Sequence, residues 1–315
     1  SRDEIALRGR LSGVNLNLDA TLGCGQTLNW KKSGNYWYGL IRGCAIRLAQ
    51  NGRQISAESS SKLVDTSLLE NYFRLDDDLE VIQKTLSHDR VLRRAMSLFP
   101  GLRLLRQDPW ECTMTYICAT NSNIPAISRM VDTLSRRFGS ALLLDSHELH
   151  TFPEVEVLAR SRVGDLRQCG LGYRASFIKA TAKRVAERPY LWSLIYQKNY
   201  LDGKEILIGR NEGKKTYLGI GHKVADCILL FSLDKMESFP VDVWIARTIY
   251  DNYRDLLDKV TSDRLNQLMC SGGSLGPNLY EKISACMRDY FGQFAGYAQE
   301  YLYAYTKQRL ARGLR

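Results

Sequence analysis

The spacing of apolar residues divides the chain into two parts. In the first hundred residues, short aromatic and β-branched runs are separated by turn residues. These runs are Tyr36–Ile41, Ala45–Ala49 and Gln54–Glu58. The breaks fall at Arg42-Gly43 and Asn51-Gly52, and Asn-Gly between alternating runs is a strong hairpin signal. The pattern predicts an antiparallel meander, followed by a helical stretch from the acidic patch at Asp76 through Met96.

From about Asp108 onward, apolar residues recur at steps of three and four, which is typical of helices. One helix is predicted from Asn123, a candidate N-cap followed by Pro125, to a stop at Gly139. Further helices are predicted around 175–186, 190–196, 223–233, 244–256 and 279–310. The sequence therefore predicts an α+β fold, in which an N-terminal antiparallel-sheet domain (residues 1–105) packs against a mostly helical domain (residues 106–315).

The composition is that of a basic globular protein. Hydrophobic residues make up 44% of the chain and charged residues 25%. Lys and Arg number 44 against 34 Asp and Glu, which gives a net charge of +10. This excess favours nucleic acid as a partner, although a solvated surface explains the charge equally well by itself. No apolar run reaches membrane-helix length and Ser1–Glu4 has no signal-peptide pattern, so an intracellular protein that does not bind membranes is expected.

Cysteine and histidine spacing gives no metal site. The 8 cysteines lie at least six residues apart, which excludes Cys-x-x-Cys pairs and predicts buried, reduced side chains. The motif from His147 to His150 is one residue short of placing both imidazoles on one helix face. The spacing therefore predicts no zinc or iron–sulfur centre.

The segment from Arg160 to Arg188 is strongly basic. It holds eight basic residues and two acidic ones, interleaved with glycines and with Tyr173 and Phe177. Cations, stacking planes and close backbone approach together suit a groove that binds a phosphate backbone. A charge-rich helix face would have a partly similar composition.

The residues that can carry chemistry lie between 214 and 243. Gly219-Ile220-Gly221 precedes a strongly apolar helix, so backbone N–H groups at that helix N-terminus can bind a DNA phosphate. Lys223 lies in the first turn, where the helix dipole and an apolar wall disfavour the ammonium form. Asp242 is both a carboxylate and a candidate N-cap of the next helix. By itself this pattern also fits a snorkelling lysine and an ordinary cap.

The chain resembles a known enzyme family over seven blocks that occur in the family's order. The blocks are Gly25-Gln26-Thr27 with Trp30, Leu104–Pro109, Asn121–Ile124, Gly170–Ala175, Lys223–Cys227, Pro240–Val243 and Gly296–Gln299. They resemble the 8-oxoguanine DNA glycosylase/AP lyase branch of the helix-hairpin-helix-Gly/Pro-Asp glycosylases. Asp242 follows Lys223 by 19 residues, close to the family's spacing, and the cysteine loop of iron–sulfur relatives is absent. The resemblance implies a TBP-like N-terminal sheet domain and a hairpin at about residues 205–233.

The resemblance implies a lysine-based mechanism. Lys223 would attack the sugar C1′, expel the base and leave an imine that undergoes β-elimination, which nicks the strand. Asp242 would stabilise positive charge on the sugar in the transition state. The target nucleotide must first be extruded from the duplex. The resemblance also implies that neither a catalytic metal nor an organic cofactor is required.

The resemblance also assigns the residues that read the base. Guanine N7 accepts a hydrogen bond whereas the N7–H of 8-oxoguanine donates one, and the carbonyl of Gly25 would accept from the latter. Cys227 and Tyr303 would form the two walls of the base pocket, with Tyr303 standing where the family has Phe. Gln299 would bind the Watson–Crick edge.

Contacts to the rest of the duplex follow from the same resemblance. Asn121, Tyr173 and Arg174 would hold the opposite base. Gly219, Gly221 and His222 would bind phosphate, and the hairpin backbone could hold a sodium, potassium or calcium ion. Three positions differ from the family: Ala126 replaces an arginine that contacts the opposite cytosine, Trp244 replaces a histidine that contacts phosphate, and Leu218 replaces the hairpin proline.

The sequence therefore predicts a monomeric base-excision repair enzyme whose partner is double-stranded DNA containing 8-oxoguanine or abasic sites. It would act at the nucleoid of a prokaryote, or in the nucleus or mitochondrion of a eukaryote. One alternative is a glycosylase of the same superfamily that acts on another damaged purine. The other is a non-catalytic helix-hairpin-helix DNA-binding protein, which would not need both Lys223 and Asp242.

Overall fold

The N-terminal part of the protein is a five-stranded antiparallel sheet. The computed structural model describes residues 7–59, 61, 64–211, 214–215 and 217–311, so Ser1–Glu4 lies outside it. The strands are β1 (Leu7–Ser12), β2 (Lys31–Ser33), β3 (Tyr36–Ile41), β4 (Cys44–Asn51) and β5 (Gln54–Ser59), in the order β1-β5-β4-β3-β2. The β3–β4–β5 meander confirms the predicted hairpins. The edge strand β2 was not predicted, because its three residues are all exposed and have no apolar pattern.

Four helices accompany the sheet: α1 (Leu18–Gly23), α2 (Thr66–Tyr72), α3 (Leu79–Leu86) and α4 (Arg90–Leu98). The single helical stretch predicted through Met96 is two helices. Asp89 starts the second one by accepting a hydrogen bond from the backbone N–H of Leu92 at 2.7 Å. Buried side chains of α3 and α4 belong to the same apolar cluster as those of the C-terminal helix, rather than to the cluster under the sheet.

The rest of the chain is mostly helical. Its helices are α5 (Pro109–Cys118), α6 (Ile124–Phe138), α7 (Val155–Arg160), α8 (Val163–Leu166), α9 (Arg174–Ala186), α10 (Leu191–Gln197), α11 (Tyr200–Ile208), α12 (His222–Ser232), α13 (Val243–Asn252), α14 (Lys259–Ser271), α15 (Pro277–Phe291) and α16 (Ala295–Ala311). Two hairpins interrupt them, β6 (Ala141–Leu144) with β7 (His147–His150) and β8 (Arg210–Asn211) with β9 (Lys214–Lys215). The predicted helix between Asn123 and Gly139 is confirmed as α6, capped by the Asn123 side chain.

One predicted helix needs correction, and a further helix and a hairpin were not predicted. The predicted helix over 279–310 is two helices, because Gly292 has a left-handed backbone (φ 66°) and begins a 3₁₀ turn. Helix α14 was not predicted, and the His147–His150 motif is a strand whose last imidazole lies 3.0 Å from the Glu148 carboxylate. Within the described residues, no group of three or more His, Cys, Asp or Glu side chains could hold a metal ion. The helices of that same part are too short or too polar to cross a membrane.

Helix α12 is buried on all sides between two apolar clusters. Cys227 and Leu230 pack with α13, α15 and α16, whereas Val224 and Ile228 pack with α5, α6 and α9. A helix that is apolar all round is typical of such a central position. Gly296 allows α16 to approach closely, since a Cβ there would lie 2.1 Å from Cδ1 of Leu230. The packing therefore fixes α16 against the helix that carries Lys223.

Candidate active site

Lys223 and Asp242 lie at the N-terminal ends of two adjacent helices. Lys223 is the second residue of α12, and its side chain is partly exposed. Asp242 is the N-cap of α13, where one carboxylate oxygen accepts the backbone N–H of Ile245 at 2.8 Å. The central packing of α12 thus places an amine at a protein surface with a carboxylate beside it.

Lys223, Asp242 and Cys227 lie close enough for the lysine charge to act on both acidic groups. Burial raises the pKa of Asp242, while the charge of Lys223 and the N–H of Ile245 lower it in part. Burial also raises the pKa of the Cys227 thiol, and the largest opposing effect is again the charge of Lys223. The structure therefore brings together three of the predicted site residues, an amine with a carboxylate and a thiol.

The predicted base-recognition residues meet at the same place. Gly25 has a left-handed backbone (φ 116°), and a Cβ on it would lie 3.4 Å from Cε1 of Tyr303. Burial and the neighbouring Asp242 carboxylate both raise the pKa of Tyr303. Gln299, one helical turn before Tyr303, is only 5% exposed, and its side-chain oxygen has no hydrogen-bond partner among the described residues. A buried amide with an unused acceptor is suited to bind a ligand.

The segment around Gly25 is fixed by the buried side chain of Gln26. Its amide nitrogen donates to the carbonyls of Thr21 and Arg103 at 3.0 and 2.9 Å. Its amide oxygen accepts the backbone N–H of Leu105 at 2.9 Å. These bonds attach Gln26 to α1 and to the segment that precedes α5. They therefore fix the backbone on the C-terminal side of Gly25.

A buried polar network lies beneath Lys223. The fully buried carboxylate of Asp226 accepts hydrogen bonds from Tyr200, Tyr280 and Lys204 at 2.7, 2.6 and 2.9 Å. The Tyr280 hydroxyl also accepts the backbone N–H of Val241 at 3.3 Å. Because Val241 precedes Asp242, the network links the helix of Lys223 to the loop that carries Asp242.

The predicted opposite-base residues form a second cluster. Arg174 donates from Nε to the carbonyl of Thr120 at 2.9 Å and from Nη2 to that of Asn121 at 3.1 Å. The Tyr173 hydroxyl donates to the same Thr120 carbonyl at 3.3 Å, and Asn121 has a left-handed backbone (φ 48°). In this state the Arg174 guanidinium braces the turn, while Tyr173 is half-exposed.

Of the three hairpin residues predicted to bind phosphate, Gly219 and Gly221 have a backbone geometry that suits this role, whereas the His222 side chain is turned towards Glu281. Gly219 has φ 83°, and a Cβ on it would lie 3.0 Å from the Ile117 side chain, so the turn favours glycine. Gly221 is the N-cap of α12, and the first N–H groups of a helix have no partner within it. The imidazole Nδ1 of His222 lies 2.6 Å from the Glu281 carboxylate, so this side chain points into the protein.

A polar cleft of about 670 Å³ lies away from all of these residues, between α2, α10 and the loop before α5. The Arg106 guanidinium that lines it is paired with Asp76 and Asp234 at 2.7 and 3.0 Å. The Arg106 charge is therefore matched within the protein itself, and none of the predicted site residues lines the cleft.

Two charged residues of α16 at the site were missed by the sequence analysis. Glu300 is 2% exposed, and one of its carboxylate oxygens has no hydrogen-bond partner within the described part of the chain. Lys307 donates to the carbonyls of Gly23 and Cys24 at 3.2 and 2.9 Å. The steps from Gln299 to Tyr303 to Lys307 are four residues each, and this spacing could have shown that they share a helix face.

Glu300 makes stability depend on pH. Burial raises its pKa from 4.5 to about 7. A carboxyl group with a raised pKa stabilises the folded state below its ordinary pKa, and this contribution is lost as the pH rises through about 7. We expect Glu300→Gln to increase the free energy of unfolding relative to the wild type by about 3 kcal/mol more at alkaline than at acidic pH. Urea unfolding of both proteins at about pH 5 and about pH 8.5 measures this. Parallel pH profiles of the two proteins would contradict it.

Comparisons with known proteins cover most of the chain. A family model described as "8-oxoguanine DNA glycosylase, N-terminal domain" matches residues 10–113. A second, "HhH-GPD superfamily base excision DNA repair protein", matches residues 114–259. An N-glycosylase/DNA lyase from Arabidopsis thaliana is 30% identical over 307 residues, which cover 93% of this chain and 78% of the relative. The chain belongs to the 8-oxoguanine DNA glycosylase/lyase family. It is a bifunctional N-glycosylase/DNA lyase of base excision repair.

Two further relatives of this glycosylase/lyase support the same family assignment. An N-glycosylase/DNA lyase from Saccharomyces cerevisiae is 32% identical over 255 residues, which are 75% of this chain and 65% of the relative. A similar solved structure is that of the Clostridium acetobutylicum 8-oxoguanine glycosylase/lyase in complex with double-stranded DNA containing cytosine opposite 8-oxoguanine. It has a TM-score of 0.80 at 28% identity, and the match covers 94% of this chain and 93% of that chain. The predicted α+β fold and enzyme class are thus confirmed, and HhH-GPD glycosylases typically need no cofactor.

Proposed function

We propose that this glycosylase/lyase extrudes an 8-oxoguanine nucleotide from duplex DNA and removes the base through an imine between Lys223 and the sugar. The observation that carries the proposal is the meeting of Lys223, Asp242 and Cys227 beside Gly25, Gln299 and Tyr303. An amine, a carboxylate and a base-sized set of walls and polar groups are what such a reaction needs.

In the proposed reaction the Lys223 nitrogen forms a bond to C1′ as the bond from C1′ to the base breaks, and the base leaves with the bonding electrons and gains a proton. The lysine nitrogen loses one proton after it has bonded to C1′. The C1′–O4′ bond then breaks, O4′ takes up a proton, and the lone pair of the nitrogen forms the C1′=N double bond of a protonated imine, which makes the neighbouring carbon acidic. Loss of a proton from the neighbouring carbon expels the 3′ phosphate and nicks the strand. Asp242 stabilises the positive charge that develops on the sugar, because its carboxylate lies in a partly buried, weakly screened position. These steps require no metal or organic cofactor.

Base selectivity would come from polar groups that the surrounding structure holds in fixed positions. The Gly25 carbonyl would accept the N7–H of 8-oxoguanine and repel the lone pair of guanine N7, and Gln299 would bind the opposite edge. Cys227 and Tyr303 would stack against the two faces of the base, an arrangement that their burial supports. This reading of an oxidised guanine distinguishes the proposal from a pocket for other damaged purines. A 3-methyladenine DNA-glycosylase from Archaeoglobus fulgidus shares the fold at 19% identity, which says nothing of the substrate.

The duplex around the lesion would be held by the two other clusters. Asn121, Tyr173 and Arg174 would fill the gap beside the opposite base, and the hairpin at Gly219 and Gly221 would bind a phosphate next to the flipped nucleotide. A monovalent or divalent ion on the hairpin backbone stays a prediction, as do a monomeric state and a location at intracellular DNA.

The opposite base is expected to be chosen loosely. Ala126, in the first turn of α6, has a methyl group that can donate no hydrogen bond, where the family has an arginine. A lost bidentate contact removes about 1–3 kcal/mol of base selectivity. We expect single-turnover rates with cytosine, thymine, guanine or adenine opposite 8-oxoguanine to lie within about tenfold of one another, and Ala126→Arg to increase the preference for cytosine. A strict requirement for cytosine in the wild type would refute this.

Borohydride trapping on a panel of damaged duplexes tests the proposed function. Borohydride reduces an imine to a stable amine, so the wild type should become covalently attached to a duplex containing 8-oxoguanine. Attachment to duplexes with other damaged purines, and none to 8-oxoguanine, would favour the second substrate class. Tight binding without any adduct would favour a non-catalytic DNA-binding protein.

A further inference from the structure

The last helix reaches back to the segment that contains Gly25. The Lys307 ammonium donates to two successive backbone carbonyls, those of Gly23 and Cys24, at 3.2 and 2.9 Å. Gly23 ends α1, and the last carbonyls of a helix have no partner within the helix. Lys307 thus caps α1 across more than 280 residues of sequence, with a cation at the helix end where the dipole favours one.

Gly25 directly follows the two carbonyls that Lys307 holds. A Cβ on Gly25 would lie 3.4 Å from Lys307 Nζ and 3.4 Å from the Tyr303 ring. On the other side, Gln26 is fixed by its bonds to Thr21, Arg103 and Leu105. The peptide units around Gly25 are therefore held from both directions, by Lys307 before the glycine and by Gln26 after it.

We infer that Lys307 is a specificity-determining positioning residue, which keeps the Gly25 carbonyl in register with Gln299. Lys307, Tyr303 and Gln299 lie on one face of α16, so a single rigid helix holds both the loop that reads one edge of the base and the amide that reads the other. Glu300 supports the arrangement from the same helix, since its buried carboxylate interacts electrostatically with the Lys307 cation. The inference rests on the proposed role of Gly25 in base recognition.

Loss of the Lys307 contact should slow excision of the base without slowing the reaction of Lys223 with the sugar. In Lys307→Met the aliphatic stem remains but the two carbonyls lose their donor, and Gly25 can shift relative to Gln299. Displacements of about 1 Å at a recognition group can cost about 100-fold in rate. An abasic duplex places no base in the pocket, so its cleavage through Lys223 does not depend on the register of Gly25 and Gln299.

The test compares two substrates at saturating enzyme, so that DNA affinity does not contribute. We expect Lys307→Met to slow single-turnover excision of 8-oxoguanine by about 100-fold while abasic-site cleavage falls by no more than about threefold. Lys307→Arg, which keeps a cation with several donors, should restore excision to within about tenfold of the wild type. Lys84→Met, an exposed lysine of α3 changed in the same way, is the control for loss of charge.

Two results would overturn the inference. One is excision of 8-oxoguanine by Lys307→Met within about threefold of the wild-type rate. The other is an equal loss of both activities, which would indicate general damage to the site; thermal unfolding of the variant shows whether the fold is kept. Failure of the wild type itself to excise 8-oxoguanine would instead refute the proposed function, and the positioning role with it.

Discussion

Replacing Lys223 with Gln is expected to abolish the borohydride-dependent adduct and to slow base excision by about 10³-fold or more, because no other group can replace the nitrogen that forms the imine. The substitution should leave the fold intact. Lys223 is partly exposed, and a cation at a helix N-terminus opposes the helix dipole, so relief of that repulsion offsets the lost attraction to Asp242. Gel analysis of trapped complexes and single-turnover excision of 8-oxoguanine measure the two effects.

The control is Lys282→Gln, which removes an exposed lysine that lies 3.9 Å from Asp258, far along the chain from the proposed nucleophile. It should retain both trapping and excision. Lys223→Gln should still bind a duplex containing 8-oxoguanine, since it keeps the hairpin and the base pocket. An adduct that persists in Lys223→Gln would show that another amine forms the imine and would refute the proposed mechanism.

Asp242→Asn is expected to slow excision of 8-oxoguanine by about 10²–10³-fold without changing stability. The amide keeps an oxygen that can accept the N–H of Ile245, and Asn is as good an N-cap as Asp. Only the negative charge beside the sugar is lost, so the effect reports electrostatic stabilisation of the transition state. The single-turnover rate constant and the melting temperature, measured on the same preparation, separate the two contributions.

Asp258→Asn is a matched control, because Asp258 caps α14 in the same way and accepts the N–H of Thr261 at 3.0 Å. Asp242→Asn should keep wild-type stability to within about 0.5 kcal/mol and lose activity, whereas Asp258→Asn should keep wild-type activity. A rate for Asp242→Asn within a few-fold of the wild type would show that the carboxylate does not act on the sugar.

The sequence predicted helices and hairpins whose start or turn is encoded by a few adjacent residues. The Asn51-Gly52 turn identified the β4–β5 hairpin, and Asn123 with Pro125 identified the start of α6. The pairing of β1 with β5 was not predictable in this way, because it joins Leu7–Ser12 to Gln54–Ser59 across more than forty residues. A polar three-residue edge such as β2 has no apolar period to detect.

The same distinction holds for the active site. The family resemblance identified Lys223, Asp242 and the base-recognition residues as candidates, and the structure brings these together. It gave no sign of Lys307 or Glu300, since their partners Cys24 and Gly23 lie at the other end of the chain. The Asp226 network could not be predicted from the sequence for a related reason. The hydrogen-bond partners of Asp226 come from α11 and α15, and only the packing of these helices shows that they meet.

Groups proposed to choose the base are far apart in the sequence. Gly25 follows α1, whereas Gln299, Tyr303 and the positioning residue Lys307 lie on α16. During synthesis the hairpin and both catalytic side chains leave the ribosome before α16 does. A chain without α16 would contain the proposed DNA-binding hairpin and both catalytic residues. It would lack Gln299 and Tyr303, which are proposed to help distinguish 8-oxoguanine from guanine. Substrate choice therefore depends on the docking of α16, which is synthesised after the hairpin and both catalytic residues.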